Sequence, residues 1–450
     1  MTCGERSGPN GVPQPAHGPR YRVPYGTSLL EFALPPTMQV TVAASQPTEP
    51  LKDAEHAVIE ALAHPIGSRP LRELARPGMR VCIVFTDSTR ACPDHLLVPA
   101  LLTELEEAGI RDEDITLLCG VGLHRPSTQE EKIAKLGATV VARYHVIDSD
   151  PRDPSTLADL GETAGGVPVQ VHRAAVDAHL VIATGVVEPH QLAGYSGGAK
   201  TLAVGAAGEG LIAYTHGPAL VDHPGTRLGR IAGNPFREAV TEAARRAGLR
   251  FILDVVLDDD KRILRVSAGD PELAFEDLVA FARPIYEVSI PHAYDIAVGG
   301  AGFPKDANLY QASRVASYLA LGPTPAVRPG GYLIIPARCQ EGAGSGAAEQ
   351  RFLSALRDAP DLHSILETAR RIGYPPGQQR AFVMAKVLER ARVVVVGSEC
   401  PDLVAACKMI PAETMEAALG LAAQELGQFC SVLVVPHALL TLPVVGPRAP

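Results

Sequence analysis

The chain has 450 residues, 46% hydrophobic and 20% charged, which fits one to three folded domains and excludes a disordered or fibrous chain. A net charge of −9, no Trp and only 5% aromatic residues argue against a nucleic-acid binder, which needs a basic face or rings for stacking. No apolar run reaches the ~18 residues of a membrane span, so no membrane partner is expected.

The first residues, Met1–Arg20, are polar and rich in Gly and Pro. They lack the apolar core of a signal peptide and are expected to be disordered in a cytoplasmic protein. Short apolar runs then read as buried parallel strands: Met79–Thr86, Ile115–Cys119, His179–Thr184, Phe251–Leu257, Ile296–Val298, Tyr332–Ile335, Val393–Val396 and Ser431–Val435. Between them lie helical patterns. His95–Ala108 and Phe236–Ala247 each stop at a glycine, Gly109 and Gly248, suited to the left-handed residue after a helix. Glu272–Glu287, Leu309–Leu321, Gln350–Leu356 and Gln378–Ala391 are further helices. Three of the eight cysteines, Cys82, Cys119 and Cys339, sit in or beside apolar runs as small hydrophobes, and no C-x-x-C pair suggests a zinc ribbon.

Strand–helix alternation predicts an α/β fold with helices on both faces of parallel sheets. Two prolines in Arg283–Tyr294 place a domain break there. The expected division is a disordered segment 1–20, an α/β unit 21–285, a second α/β unit 290–437 and a Pro-rich tail 438–450.

In such sheets ligands bind beyond the carboxyl ends of the strands. Four of those loops carry chemistry. Asp87-Ser88-Thr89-Arg90 is by itself a plain turn, or an anion site made of hydroxyls, backbone N–H groups and a guanidinium. Gly120 to Pro126 places His124 beside Arg125; a lone loop histidine is more often bland than catalytic. Glu188 to Thr201 combines His190, glycines at 194, 197 and 198, and Lys200. Gly194…Ala199-Lys200-Thr201 is a near miss for a phosphate-binding P-loop, with Ala where the second Gly belongs. Gly299 to Asp306 leads into a helix on which Tyr310, Gln311 and Arg314 share a broad face.

Taken together these segments resemble the nickel-dependent lactate racemase family. The matching residues are Thr86 to Arg90, Gly122 to Arg125, Pro189-His190 through Gly194 to Lys200, His216, and Leu309 to Ala312. The spacings of 10 from His190 to Lys200 and 16 from Lys200 to His216 are the most specific part.

The resemblance implies two Rossmann-like α/β domains with the site in the cleft between them, and a nickel pincer nucleotide (the Ni(II) complex of pyridinium-3,5-bisthiocarboxylic acid mononucleotide) as cofactor. By motif position Lys200 would tether it through a thioamide and His216 would ligate the nickel. His124 and His190 would be the acid/base pair. Asp87, Ser88, Thr89, Arg90, Gln311 and Arg314 would contact cofactor, and Arg90, Tyr310, Gln311, Arg314 and Gln379 the small-molecule substrate. The reaction would be racemisation or epimerisation at C2 of a 2-hydroxy acid by hydride transfer.

Three positions depart from the family pattern. Arg314 stands where lysine is usual, Gln379 where a tryptophan is expected, and Val204-Gly205 where Pro-Gly is usual. The first two suggest a substrate more polar than lactate, such as an aldonate. Three alternatives stay open: a phosphotransferase using Gly194–Thr201, a zinc hydrolase on His124, His190 and His216, and a ligand sensor without turnover.

Overall fold

The computed structural model describes residues 19–163 and 165–446. Residues 1–18 and 447–450, most of the expected disordered start and the last part of the expected tail, lie outside the described residues.

Two six-stranded sheets organise the chain. In the first, the order is Ile263–Gly269, Leu249–Leu257, Leu180–Val186, Val81–Thr86, Ile115–Gly120, His145–Asp148. All neighbours are parallel except the first pair, which is antiparallel. Every residue of Val81–Thr86 and Leu180–Val186 is buried, which explains why these runs are continuously apolar rather than alternating. Burying each Val, Ile or Phe contributes about 1.5–3 kcal/mol.

The second sheet runs Ile410–Ala412, Arg392–Val396, Val327–Pro336, Tyr294–Gly299, Ser431–Val435, Gln39–Val42, and every pair in it is parallel. One continuous apolar core joins both sheets, from Val84 and Ala183 through Phe236 and Phe275 to Leu309 and Phe352.

The strand order reverses once in each sheet, and those reversals position the site. In the first, successive strands move outward from Val81–Thr86 in one direction before Leu180–Val186 returns to its other flank. In the second, Ser431–Val435 returns to the free flank of Tyr294–Gly299 in the same way. Loops at such a switch point diverge and leave a crevice. The loops beginning at Asp87, Val187 and Gly300 emerge there.

The eight expected strands are all present, six of them longer than expected by one to six residues, and the fold is a mixed α/β one with parallel sheets. The structure corrects four expectations. Gln39–Val42, placed by the sequence with the first unit, completes the second sheet beside Ser431–Val435. Leu442–Val445, expected in a structureless tail, is a strand parallel to Glu287–Ile290, which itself occupies the expected domain break. The helix expected over Leu309–Leu321 is two, Leu309–Ala312 and Arg314–Ala320. Ser313 divides them, its hydroxyl donating to the Tyr310 carbonyl at 2.8 Å and so competing with the helical ladder. Arg20, assigned to the disordered start, opens a strand, Arg20–Tyr25, that pairs with Ser28–Ala33. Among the described residues no helix is long and apolar enough to cross a membrane.

Candidate active site

The segment after Leu180–Val186 forms a small two-stranded clasp, Pro189–His190 against Gly194–Tyr195. Only glycine fits at 194: φ is +75°, and a Cβ there would lie 2.0 Å from the Arg230 carbonyl oxygen. Gly197 and Gly198 are also left-handed, at +84° and +61°. The Gly198 N–H donates to Oδ2 of the fully buried Asp254 at 2.6 Å. Burial pushes the Asp254 carboxyl up to about 7. Arg237 fastens the clasp from behind, donating to the carbonyls of Gly197, Ala193 and Tyr195. A phosphate-binding loop turns its N–H groups toward the ligand, but here the Gly198 N–H is already committed to a protein carboxylate.

Lys200 follows the clasp at the head of a wide helical turn, 201–205. Its amine is held well below the ordinary lysine range, first by burial and then by the positive charges of Arg90, Arg237 and Arg314. A neutral amine is a nucleophile, whereas an ammonium is not.

His216 closes the helix Glu209–Thr215. Its Nδ1 lies 3.0 Å from the Ile212 carbonyl oxygen, an acceptor only, so Nδ1 carries the proton and Nε2 keeps a free lone pair. Burial pushes it down to about 4, which keeps the ring neutral as a metal ligand must be. The Phe236 ring lies 5.2 Å from His216 and 6.3 Å from His190, placing both imidazoles around one aromatic wall.

The two remaining histidines are set up in opposite states. Nδ1 of His190 accepts the N–H groups of Leu192 (3.3 Å) and Ala193 (3.1 Å), so its neutral ring carries the proton on Nε2. Burial, then the charges of Arg90 and Arg314, hold it well below the usual histidine range. An anion beside the arginines would relieve part of that depression. His124 instead has Nδ1 2.6 Å from Oδ2 of Asp87 and is half exposed. Its Nδ1–H points at the carboxylate and Nε2 is left as a proton acceptor.

Asp87 is buried, which alone would raise its pKa. The hydrogen bond and charge of His124, the Thr89 hydroxyl (2.7 Å) and Arg90 overcome that and bring it to about 2. A carboxyl depressed below its unfolded value stabilises the fold above that value, and the contribution disappears as pH falls through the folded one. The unfolding free energy of wild type relative to Asp87→Asn should therefore shrink by roughly 2 kcal/mol between pH 5 and pH 2. Chemical denaturation across that range measures it, and a constant difference would contradict the pairing.

Arg90 faces Glu188 at 4.0 Å. Ser88 and Thr89 are exposed and turn to protein partners: Ser88 to Glu131 at 3.2 Å, Thr89 to Asp87. Below the loop, buried Asp94 accepts from Thr86 (2.7 Å) and Thr184 (2.5 Å) and pairs with Lys135 (2.7 Å). That network ties together the ends of the two strands bordering the switch point.

The second half supplies the opposite wall. The Tyr318 hydroxyl donates to the Pro189 carbonyl at 3.1 Å, and Ser317 bonds Gln191 at 3.1 Å, so the helix Arg314–Ala320 sits against the His190 loop. Tyr374 donates to the His216 carbonyl at 2.8 Å, and Asp222 bridges to Arg370 (2.9 Å) and Lys386 (2.6 Å). Arg314 reaches Gln311 and Tyr318. Tyr310 packs edge-on to Phe352 at 5.6 Å. The Gln379 side-chain oxygen is buried without a hydrogen-bond partner among the described residues.

The residues predicted from separate loops thus meet along one seam, with Lys200, His216, His190, Arg90 and Arg314 within reach of one another's charge. His124 joins through Asp87, which acts on the buried Lys305 across the seam. Sequence reasoning left five contributors unassigned: Glu188, Arg237, Asp254, Lys305 and Arg380. Lys305 and Glu188 lie in loops singled out for glycine content, a signal that was available. Arg237, Asp254 and Arg380 sit in regular elements and gave none.

A three-histidine zinc centre is not formed: among the described residues no three His, Cys, Asp or Glu side chains converge to hold a metal. A metal carried mainly by an organic ligand needs only one protein donor. The residues present fit a tethered nickel nucleotide: a buried amine held neutral, one imidazole nitrogen left free, and glycines that open the loop between them.

Comparison with known proteins agrees with this geometry. Residues 25–229 match the lactate racemase N-terminal domain model and 291–442 the lactate racemase C-terminal domain model. A lactate racemase of Lactiplantibacillus plantarum is 33% identical over 390 residues, 86% of this chain and 90% of that one. The lactate racemase of Thermoanaerobacterium thermosaccharolyticum is 29% identical over 420 residues, 93% and 97% of the two chains. The structure of the lactate racemase apoprotein from that organism superposes with a TM-score of 0.85, at 28% identity, over 95% of this chain and all of that one. A Thermotoga maritima protein, 18% identical, shares the fold at a TM-score of 0.66 over 89% of this chain. The chain therefore belongs to the lactate racemase family and is an isomerase of the racemase/epimerase kind.

Proposed function

We propose that this protein inverts C2 of a 2-hydroxy acid in a cleft between two Rossmann-like units, with a nickel pincer nucleotide tethered to Lys200 and ligated through Nε2 of His216. The observation that carries the reading is the convergence of a neutralised lysine, a metal-competent imidazole and a second histidine beside two arginines. When bound, the nucleotide supplies a reversible hydride acceptor, which avoids removing a very weakly acidic proton beside a carboxylate.

The chain's own residues do the rest. The guanidinium forks of Arg90 and Arg314 hold the substrate carboxylate and fix which face of C2 is presented. His124, its Nδ1–H anchored on Asp87, takes the hydroxyl proton at Nε2. His190 presents its Nε2–H from the other side of the seam as a hydrogen-bond donor to the substrate oxygen, and the proton held by His124 returns to that oxygen once hydride has been returned to the opposite face of C2. Arg314 and Gln379 favour a substrate more polar than lactate.

The test is incubation of cofactor-loaded protein with enantiopure 2-hydroxy acids and aldonates in D₂O. Inversion at C2 with the original hydrogen retained is expected. Inversion with deuterium incorporated would replace hydride transfer by proton exchange, and no inversion of any substrate would remove the proposal.

A further inference from the structure

The wall opposite the tether carries more positive charge than a single substrate carboxylate answers. Arg314 and Arg380 project from two helices that pack on each other, Arg314–Ala320 and Gln379–Arg390. Every recorded polar partner of theirs is neutral. Arg314 donates to Gln311 (3.5 Å) and the Tyr318 hydroxyl (3.1 Å), and Arg380 donates to the Ser317 hydroxyl (3.0 Å). The Arg380 Nε and the adjacent Gln379 Oε1 are both buried with no hydrogen-bond partner among the described residues. The Arg380 guanidinium also lies 5.9 Å from the Tyr310 ring centre. Burial pushes Arg380 down to about 10, and Arg314 adds to that against the opposing effect of Tyr310.

The two carboxylates on the first half's side of the seam are taken. Asp87 is engaged by His124 and Thr89, and Glu188, which acts on Arg314, pairs with Arg90. The groups acting on Arg380 are Tyr310, Arg314 and Tyr318, all from the second half, whereas Lys200 and His216 belong to the first. Two cations on adjacent helices with only neutral hydrogen-bond partners among the described residues are costly, and a planar fork with unmatched N–H donors is shaped for a carboxylate. A polyhydroxylated tail would accept the hydrogen bonds and leave the charge uncompensated. Ser317 links Arg380 to Gln191, the residue after His190, which sets this charge one side chain away from the proton-transfer site.

We propose that Arg380, beside Arg314, forms a subsite for a second carboxylate, and that the substrates are 2-hydroxy dicarboxylates. The inference rests on the reading of the seam as a 2-hydroxy-acid site.

Calorimetric titration of the cofactor-loaded, full-length protein tests it without turnover, using 2-hydroxysuccinate against 2-hydroxybutyrate, 2-hydroxyglutarate against 2-hydroxypentanoate, and gluconate. The dicarboxylate of each pair should bind about 10- to 100-fold more tightly, the value of one charge-assisted hydrogen-bonded pair. Arg380→Gln should remove that preference and leave the monocarboxylates within about twofold. Arg380→Lys, which keeps the charge and loses the fork, should retain part of it. Equal binding within each pair, tighter binding of gluconate, or an equal loss for both partners in Arg380→Gln overturns the subsite. The wild-type preference decides alone if neither variant folds. A chiral assay run in parallel separates the two ideas. Selective dicarboxylate binding with no inversion at C2 supports the subsite and defeats the racemase reading. Inversion of monocarboxylates with no binding preference does the reverse.

Discussion

Alanine in place of Lys200 is expected to leave a folded protein that gains no covalent mass when supplied with the nickel nucleotide, while the wild type gains the full adduct. The amine is prepared for acylation, because burial and the charges of Arg90, Arg237 and Arg314 hold it well below the ordinary lysine range. Intact-protein mass spectrometry reads the result directly. Lys200→Arg is the informative companion: it keeps a long cationic side chain and removes the nucleophile, so it should fail equally. A full adduct on either variant would refute the tether. Nickel content should fall with the adduct, since His216 alone provides one donor where a bound ion needs several.

The second large effect concerns the Asp87–His124 pair. Removing the imidazole in His124→Ala should lower turnover by roughly 100- to 10,000-fold with the adduct retained. Asp87→Asn should cost nearly as much. An asparagine amide donates to Nδ1 where the carboxylate accepts, and this forces the proton onto Nε2, the nitrogen that must take the hydroxyl proton. Steady-state rates in both directions check this. Because His190 already carries its proton on Nε2, the pair is asymmetric, and His124→Ala should damage the two directions unequally in pre-steady-state measurements. An Asp87→Asn enzyme with wild-type rates would show that the dyad is only structural.

Much of this arrangement was legible before any coordinates. The eight strands stood out because residues buried on both faces are continuously apolar, as in Val393–Val396. The loops carrying His124, His190 and Lys200 stood out because they follow those strands. What was hidden has a physical reason in each case. Gln39–Val42 is a short edge strand, part-exposed throughout, so it shows no apolar run. The break at Ser313 depends on a single hydroxyl bonding backward within an otherwise helical pattern. Gln379 could be placed by motif position, yet its neighbour Arg380 could not. Its meaning comes from Arg314 and Ser317, more than 60 residues earlier in the chain. Asp254 gave no signal because its task is to catch one backbone N–H of a distant loop.

The pairing of Gln39–Val42 with Ser431–Val435 has a consequence for biosynthesis. A ribosome delivers the outermost strand of the second sheet long before its hydrogen-bonding neighbour. That edge stays unzipped until Ser431–Val435 has emerged, and closing so long a loop is slow. Excising the carboxyl-terminal half at residue 290 would leave Ser431–Val435 as an open, sticky margin prone to self-association. A gene dissection that respects the molecule must carry residues 20–43 along with that half, either as a separate peptide or fused through a circular permutation.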